Sequence, residues 1–355
     1  MTPDNRIPVG VLGATGSVGQ RFVCLLHEHP WFRVAAVTAS ERSAGRPYGE
    51  AVQWAQEENL PREIAELEVL PTRPGFDAPL VFSALDASVA GEVESRFASE
   101  GVFVVSNARN HRMDPDVPLL VPEANPDHLD LLESQSFPDG GGIVTNPNCS
   151  TIGLILPLRA LHDAFGVRQV HVVTLQAISG SGIPGIPSMQ ILDNVVPYIS
   201  GEEGKLERET LKILGQLENG GVRNAEFVVS AQCTRVPVFD GHLEMVSIGL
   251  ESPATPEEAN EVMRSFRGIP QEMELPSAPA RPIHVLEGED HPQPRLHRNL
   301  EGGMAVSVGR VRPCSLFSLK MGLLSHNTVR GAAGGALLCA ELAVAQGRIP
   351  GVARP

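Results

Sequence analysis

Cys149 lies in the run Thr145-Asn146-Pro147-Asn148-Cys149-Ser150-Thr151, between an apolar strand padded by glycines and an apolar helix. A cysteine at the first turn of a helix feels the positive end of the backbone dipole and several unpaired N–H groups, which favour thiolate over thiol and can hold a developing oxyanion. Inert packing is the ordinary role of a free cysteine, but Asn, Pro, Asn, Ser and Thr are an odd lining for a packing residue, and the run predicts a nucleophile. Such a thiol needs a proton carrier that titrates near neutrality. Arg235 and His242 flank Val236-Pro237-Val238-Phe239-Asp240-Gly241, a strand end and turn that can fold both side chains toward one site. On the local sequence alone His242 also reads as a satisfied structural histidine; its partnership with Cys149 favours the chemical role.

These residues need elements to position them. Ile7 to Leu12 reads as a buried strand, followed by Gly13-Ala14-Thr15-Gly16-Ser17-Val18-Gly19 and a helical run. The glycines allow a tight turn and close backbone approach, so that a dinucleotide pyrophosphate can sit on the helix N-terminus near Gly13, Thr15, Gly16, Ser17 and Val18. A second strand, Phe32 to Val37, ends in Thr38-Ala39-Ser40-Glu41-Arg42-Ser43. The hydroxyls of Ser40 and Ser43 and the Arg42 guanidinium suit a 2′-phosphate and predict NADP(H), with Glu41 expected to point outward although it offers the acid of an NAD site. Further strands at 80–83 and 102–107, with a helix over 87–99, keep the α/β rhythm. Ligands in such sheets lie outside the carboxyl ends of the strands, so Ser83, Ala84, Asn107 and the 146–149 run, Asn148 included, are expected to line one crevice.

After Cys149 the pattern changes. An apolar helix near 150–165 leads into a long, partly alternating strand, 167–176; further long strands are expected at 227–234, 242–250, 304–312 and 315–323, a helix at 256–267, and a proline-rich irregular excursion at 275–294. The alanine- and glycine-rich segment 327–345 reads as a helix that returns to the first domain. The fold class is therefore α/β, with an N-terminal Rossmann-type dinucleotide-binding domain (1–148 plus the C-terminal helix, 327–355) and an α+β domain (149–326) built on a largely antiparallel mixed sheet.

Composition narrows the setting. With 355 residues, 42% of them hydrophobic and 20% charged, the chain reads as a globular enzyme with two domains. A net charge of −14 without any Lys/Arg-rich run argues against nucleic acid as a partner. The cysteines at 24, 149, 233, 314 and 339 form no CxxC and no even framework, so neither a disulfide scaffold nor a cysteine-rich zinc site is expected. Met1 to Arg6 carries no apolar leader core, and no stretch of about 18 uninterrupted apolar residues follows. A cytoplasmic protein that neither spans nor binds a membrane is the expectation. His242-Leu243-Glu244 matches half of a zinc deaminase motif, but the cysteine pair that completes it is missing, and no metal is expected. His27-Glu28-His29 reads as a solvated helix end, and neither a GxxxxGK[ST] loop nor a GxSxG elbow occurs.

Together these segments identify a family. Gly13 to Gly19, Ser106-Asn107-Ala108, His111-Arg112-Met113, Asn146 to Thr151, Ser179-Gly180-Ser181-Gly182, Arg235 to Val238 with Gly241-His242, and Asn327 to Gly334 make the chain resemble the aspartate-β-semialdehyde dehydrogenases over nearly its whole length, and most of all their archaeal and fungal branch. Where that family commonly has a proline after the fourth strand and a tyrosine after the Ser-Gly-x-Gly turn, this chain has Asp86 and Ile183. The resemblance implies an acyl-forming Cys149, a substrate-positioning Gln176, Arg235 as the clamp on a substrate carboxylate and His242 as the acid/base. It also implies Arg112 on phosphate, Glu209 with Lys212 serving the substrate amine and phosphate, and Ser179, Gly180, Gly182 and Asn327 against the cofactor. Glu202, Glu203 and Lys205 present a similar charge pattern earlier in the same segment. The implied activity is NADP-dependent reductive dephosphorylation of aspartyl phosphate to aspartate semialdehyde through a cysteine thioester, in lysine, threonine and methionine biosynthesis. Catalysis and dimerisation fall to the second domain, in a homodimer or homotetramer. N-acetyl-γ-glutamyl-phosphate reductase and malonyl-CoA reductase are alternatives on the same scaffold; a non-enzymatic dinucleotide-binding protein is a third.

Overall fold

The first half of the chain alternates short, evenly apolar runs with amphipathic segments, the signature of strands covered on both faces. The computed structural model describes residues 5–138 and 140–354; residues 1–4, within the stretch read as lacking an apolar leader, and residue 355 at the end of the expected C-terminal helix lie outside the described residues. In chain order the principal elements are β1 (Ile7–Leu12), α1 (Ser17–His27), β2 (Phe32–Ala39), β3 (Val69–Pro71), β4 (Leu80–Ser83), α2 (Ala87–Ser99), β5 (Phe103–Ser106) and β6 (Gly142–Thr145). They are followed by α3 (Cys149–Phe165), β7 (Val167–Gln176), α4 (Glu202–Ile213), β8 (Gln216–Glu218), β9 (Gly221–Arg223), β10 (Val228–Arg235), β11 (His242–Leu250), α5 (Pro256–Ser265), β12 (Ile283–Leu286), β13 (Val306–Pro313), β14 (Leu319–Ser325) and α6 (Gly334–Ala345).

The first sheet has the order β3-β2-β1-β4-β5-β6, with every neighbouring pair parallel. Its strand order reverses between β1 and β4, and the glycine turn that follows β1 opens at that switch point, where an open α/β sheet leaves a crevice. The second sheet has the order β10-β7-β11-β14-β13-β12 and is mixed: β10 with β7 and β12 with β13 run parallel, the remaining pairs antiparallel. Helix α3 leaves the carboxyl edge of the first sheet and packs on the second through Ile152, Ile155 and Leu158, together with Val170 and Val246.

Helix α6 is buried along nearly its whole length and shares a core with β1, β2 and α1: Leu337, Cys339 and Val344 pack with Val9, Phe22 and Phe32. Small residues make that approach possible. A Cβ on Gly335 would lie 2.5 Å from the carbonyl oxygen of Arg330. Just before the helix, Arg330 grips Glu123 through two bonds of 2.7 and 2.6 Å, both side chains fully buried, which ties the chain's return to the first half.

Two details differ from the sequence expectation. The interval 275–294 was expected to be irregular, yet it contains β12, an edge strand parallel to β13. Prolines flank it at 279, 282 and 292 and hide the short run between them, and an edge is where a sheet tolerates such neighbours. The hairpin β8–β9 turns on Asn219 and Gly220, both with positive φ (52° and 76°), the conformation that tight two-residue turns demand.

Candidate active site

Strand β6 ends at Thr145, and Pro147, which has no N–H to extend a ladder, precedes the helix. Asn148 caps α3: its Oδ1 accepts from the N–H groups of Ser150 at 2.9 Å and Thr151 at 3.3 Å. Cys149 thus opens the helix, half-buried, on the wall of a cleft. The sequence led us to expect several free N–H groups here. The cap has taken two of them and leaves the Cys149 N–H, which has no acceptor among the described residues.

The sulfur lies 3.2 Å from His242 Nε2. His242 is the first residue of β11, delivered by Gly241 at φ 99°, whose N–H donates to Asn327 Oδ1 at 2.8 Å. On the other side of the ring, Nδ1 accepts the N–H of Ala177 at 3.1 Å. An amide N–H can only donate, so Nδ1 must offer a lone pair, and the proton of the neutral ring sits on Nε2, facing the sulfur. A second ring proton would meet the Ala177 N–H head-on. Burial, then the Arg235 charge, pushes the same way and brings the His242 pKa down to about 3.

Burial, and after it the Glu202 carboxylate, raises the Cys149 thiol from 9.0 to about 12, outweighing Arg112, Arg235 and Lys205. That rise corresponds to on the order of 4 kcal/mol against the thiolate, whereas a helix terminus offers about 1 kcal/mol. The raised thiol runs against the thiolate-favouring pull expected of the helix start. Both shifts favour a neutral thiol beside a neutral imidazole at rest.

Two buried side chains and two close approaches define the floor. Arg235 closes β10 and is the strand partner of Gln176 at the end of β7. Its Nη1 donates to the Ala177 carbonyl at 2.6 Å, leaving Nε and Nη2 without an acceptor among the described residues, while the Gln176 amide donates to Thr174 Oγ1 at 3.2 Å. Gly180 is small by necessity, because a Cβ there would lie 2.9 Å from Arg235 Nη1 and 3.3 Å from His242 Cε1. Gly331 backs the nucleophile: its Cβ would lie 2.8 Å from that of Cys149. Gly331→Ala is expected to lower kcat at least about tenfold by displacing the sulfur, measured by steady-state kinetics beside a thermal melt; an unchanged kcat in a folded variant would contradict this packing.

From the glycine turn to Cys149 runs a cleft of about 950 Å³, which takes in Gly13, Thr15, Gly16, Ser17, Val18, Ser40, Ala84, Asn107, Asn148, Ser179, Gly180, Gly182 and Asn327. Its wall fits a dinucleotide. Gly13 adopts φ 73°, a Cβ on Gly19 would lie 2.3 Å from the Gly13 carbonyl oxygen, and α1 has no side-chain cap, so its first N–H groups stay available to a diphosphate. Asp86 and Ile183, the two departures from the family pattern, both border this cleft.

Several expected site residues go elsewhere. Ser83 points inward and donates to the buried Glu94 at 2.5 Å, so it does not line the cleft. Arg42 and Ser43 lie beyond the cleft wall, with Arg42 exposed and in no ion pair among the described residues. Asn327 borders the cleft, but its amide is a staple: besides the bond from Gly241 it donates to Ser179 Oγ at 2.8 Å. Lys212 is the clearest correction. Its ammonium is spent on the carbonyls of Arg112, Asp114 and Val117 at 2.9, 2.7 and 2.9 Å, bracing that loop rather than reaching substrate, and burial brings its pKa down to about 8. Glu209 is likewise occupied, by Arg112 Nη1 at 2.9 Å and the Asn148 N–H at 2.7 Å. In the cleft stand Glu202 and Lys205 instead, paired at 2.8 Å, with Glu202 also accepting from the Asn148 amide.

Two segments of the chain match families of known proteins. Residues 8–132 match the family described as semialdehyde dehydrogenase, NAD binding domain, and residues 158–330 the one described as semialdehyde dehydrogenase, dimerisation domain. The aspartate-semialdehyde dehydrogenase of Methanothermobacter thermautotrophicus is 52% identical over 342 residues, 95% of this chain and 98% of that protein. The chain belongs to the aspartate-semialdehyde dehydrogenase family. The Schizosaccharomyces pombe aspartate-semialdehyde dehydrogenase is 49% identical over 96% of this chain and 98% of its own. The crystal structure of the Candida albicans aspartate-semialdehyde dehydrogenase with NADP superposes with a TM-score of 0.90 at 45% identity, covering 97% of this chain and all of that one. Archaeal and fungal aspartate-semialdehyde dehydrogenases are thus both close relatives, as the motifs indicated. Sequence reasoning passed over the Ala177 N–H, which no side chain signals, and set aside Glu202 and Lys205, whose Glu-x-x-Lys spacing was visible.

Proposed function

We propose that this aspartate-semialdehyde dehydrogenase reduces L-4-aspartyl phosphate to L-aspartate 4-semialdehyde with NADPH, through a thioester on Cys149. The observation that carries the reading is Cys149 Sγ, 3.2 Å from His242 Nε2, on a cleft shared with the glycine turn. Arg235 grips the substrate α-carboxylate with its free guanidinium edge. Glu202, rather than Glu209, faces the ammonium, and Arg112 with Lys205 faces the phosphoryl group.

The proton balance suits a neutral pair. As the sulfur bonds to the acyl carbon and the C–O bond to phosphate breaks, the thiol proton passes to the departing phosphate, which leaves as hydrogen phosphate; no side-chain base is required. The Cys149 N–H and the His242 Nε2–H are the donors beside the reacting carbonyl. NADPH, when bound, supplies hydride to the acyl carbon. Departure of the semialdehyde leaves a thiolate, which His242 Nε2–H holds until a solvent proton restores the thiol. His242 thus works as a neutral donor, not as an imidazolium.

Ser40 in the cleft, with Arg42 beyond it and in no ion pair among the described residues, serves the 2′-phosphate of NADP. Residues 1–148 with 327–355 form the NADP-binding domain and 149–326 the catalytic and dimerisation domain. Assembly as a homodimer or homotetramer uses the open face of the second sheet, where Val228 and Met245 stand bare, with the 177–201 connection that bridges to its β10 edge at Val196, where Met189 (91% exposed), Leu192 and Tyr198 do. The setting is cytoplasmic amino-acid biosynthesis of lysine, threonine and methionine.

The test is phosphate-dependent reduction of NADP by aspartate semialdehyde, run beside malonyl-CoA and N-acetyl-γ-glutamyl phosphate with NADPH. Robust turnover of the semialdehyde alone supports the reading; activity confined to either of the others overturns it.

A further inference from the structure

A second cavity, of about 280 Å³, adjoins the cleft, and its charged lining is Arg109, Arg112, Lys205, Arg208 and Glu209. Arg109, Arg112 and Lys205 also border the main cleft, whereas no residue of the glycine turn contributes to the cavity. Of the anionic charge nearby, Glu209 is matched by Arg112 and the Asn148 N–H, and Glu202 by Lys205. Arg109 and Arg208 make no ion pair among the described residues, and the one hydrogen bond of the Arg208 side chain there goes to the Gly204 carbonyl of its own helix. The buried Nε of Arg112 has no hydrogen-bond partner among the described residues. Arg109 feels the Asp86 carboxylate without pairing to it, so cations without an ion-pair partner among the described residues converge beside the acyl-transfer site of a chain whose net charge is −14, a concave and locally positive spot suited to a small tetrahedral dianion.

A dinucleotide held on the glycine turn would lie along the main cleft, and no residue of that turn reaches this cavity. Hydrogen phosphate set free at Arg112 during reduction, or drawn in during the reverse reaction, meets Arg208 and Arg109 on that side. We infer that the cavity is an exchange subsite for inorganic phosphate, through which Arg208 and Arg109 pass the anion to and from Arg112 while the cofactor stays bound. The inference rests on the reaction proposed above, deepens it, and assigns two arginines that the chemistry itself does not use.

Arg208→Glu tests it in the phosphorylating direction. A two-charge change several ångströms from the anion is expected to raise the phosphate KM about tenfold and to weaken product inhibition by phosphate to match. KM for semialdehyde and for NADP should stay within about twofold, and Arg208→Lys should recover most of the loss because it keeps the charge. An unchanged phosphate KM, or an equal rise for all three substrates, overturns the inference. Calorimetric titration of the full-length protein with inorganic phosphate alone separates this question from the reaction. If the wild type shows no phosphate-dependent turnover, the reaction reading fails, and the titration still decides: binding weakened by Arg208→Glu supports the subsite, while identical isotherms or no binding refute it.

Discussion

Replacing Cys149 by alanine should lower kcat by at least about 10⁴-fold while NADP still titrates the protein with an affinity within a few-fold of wild type. The size follows from chemistry: without the sulfur there is no thioester, and neither a carboxylate nor a bound acyl phosphate accepts hydride as readily. The retained binding follows from place, since Cys149 helps to form neither the glycine turn nor α1. The same residue carries a pH signature. Its thiol is pushed up to about 12 by burial, so the thiolate fraction in the free enzyme grows with pH throughout the neutral range. The rate of alkylation by neutral iodoacetamide is then expected to climb about tenfold per pH unit between pH 7 and 9 without levelling. A plateau below pH 8 would mean a preformed thiolate and would contradict the neutral pair.

For His242 the expected loss on alanine substitution is about 10²- to 10³-fold in kcat, and the informative comparison is glutamine. A glutamine amide can present an N–H where Nε2–H stands but cannot serve as a titrating base. His242→Gln should therefore keep clearly more activity than His242→Ala. The sign of the pH effect is equally specific. With its pKa lowered to about 3, the ring is neutral everywhere above that value, so lowering the pH from 8 to 6 removes none of its function. A base with the ordinary histidine pKa would instead lose activity about tenfold per unit below about 6.5. Equal kinetics for the glutamine and alanine variants, with a wild-type acid limb near pH 6.5 that vanishes in both, would restore the general-base role.

The chemistry that is local in sequence was legible there. The glycine turn, the placement of Cys149 at a helix start and the Arg-Val-Pro-Val run ahead of Gly-His each combine residue type with a fixed short spacing, and each folds as a unit. What depended on distant partners was hidden. The ionisation of Cys149 is set by burial and by an N–H at position 177 that reaches the far side of His242, and no spacing within either segment encodes that. On α4, Glu202/Lys205 and Glu209/Lys212 repeat the same three-residue offset seven positions apart, nearly two helical turns. Both pairs therefore point the same way along the helix, and only the packing of the 112–117 loop decides which one meets the cleft. Ser83 shows the converse limit: its strand-end position was right for a crevice, but the buried Glu94 beneath claimed its hydroxyl.

The most direct measurement is mass spectrometry of the protein quenched after mixing with aspartate semialdehyde and NADP, phosphate left out so that the acyl group has nowhere to go. An aspartyl thioester on the peptide that contains Cys149, released when phosphate is added, is the predicted result. An unmodified Cys149 peptide after NADP has been reduced, or an adduct on a different residue, would contradict it.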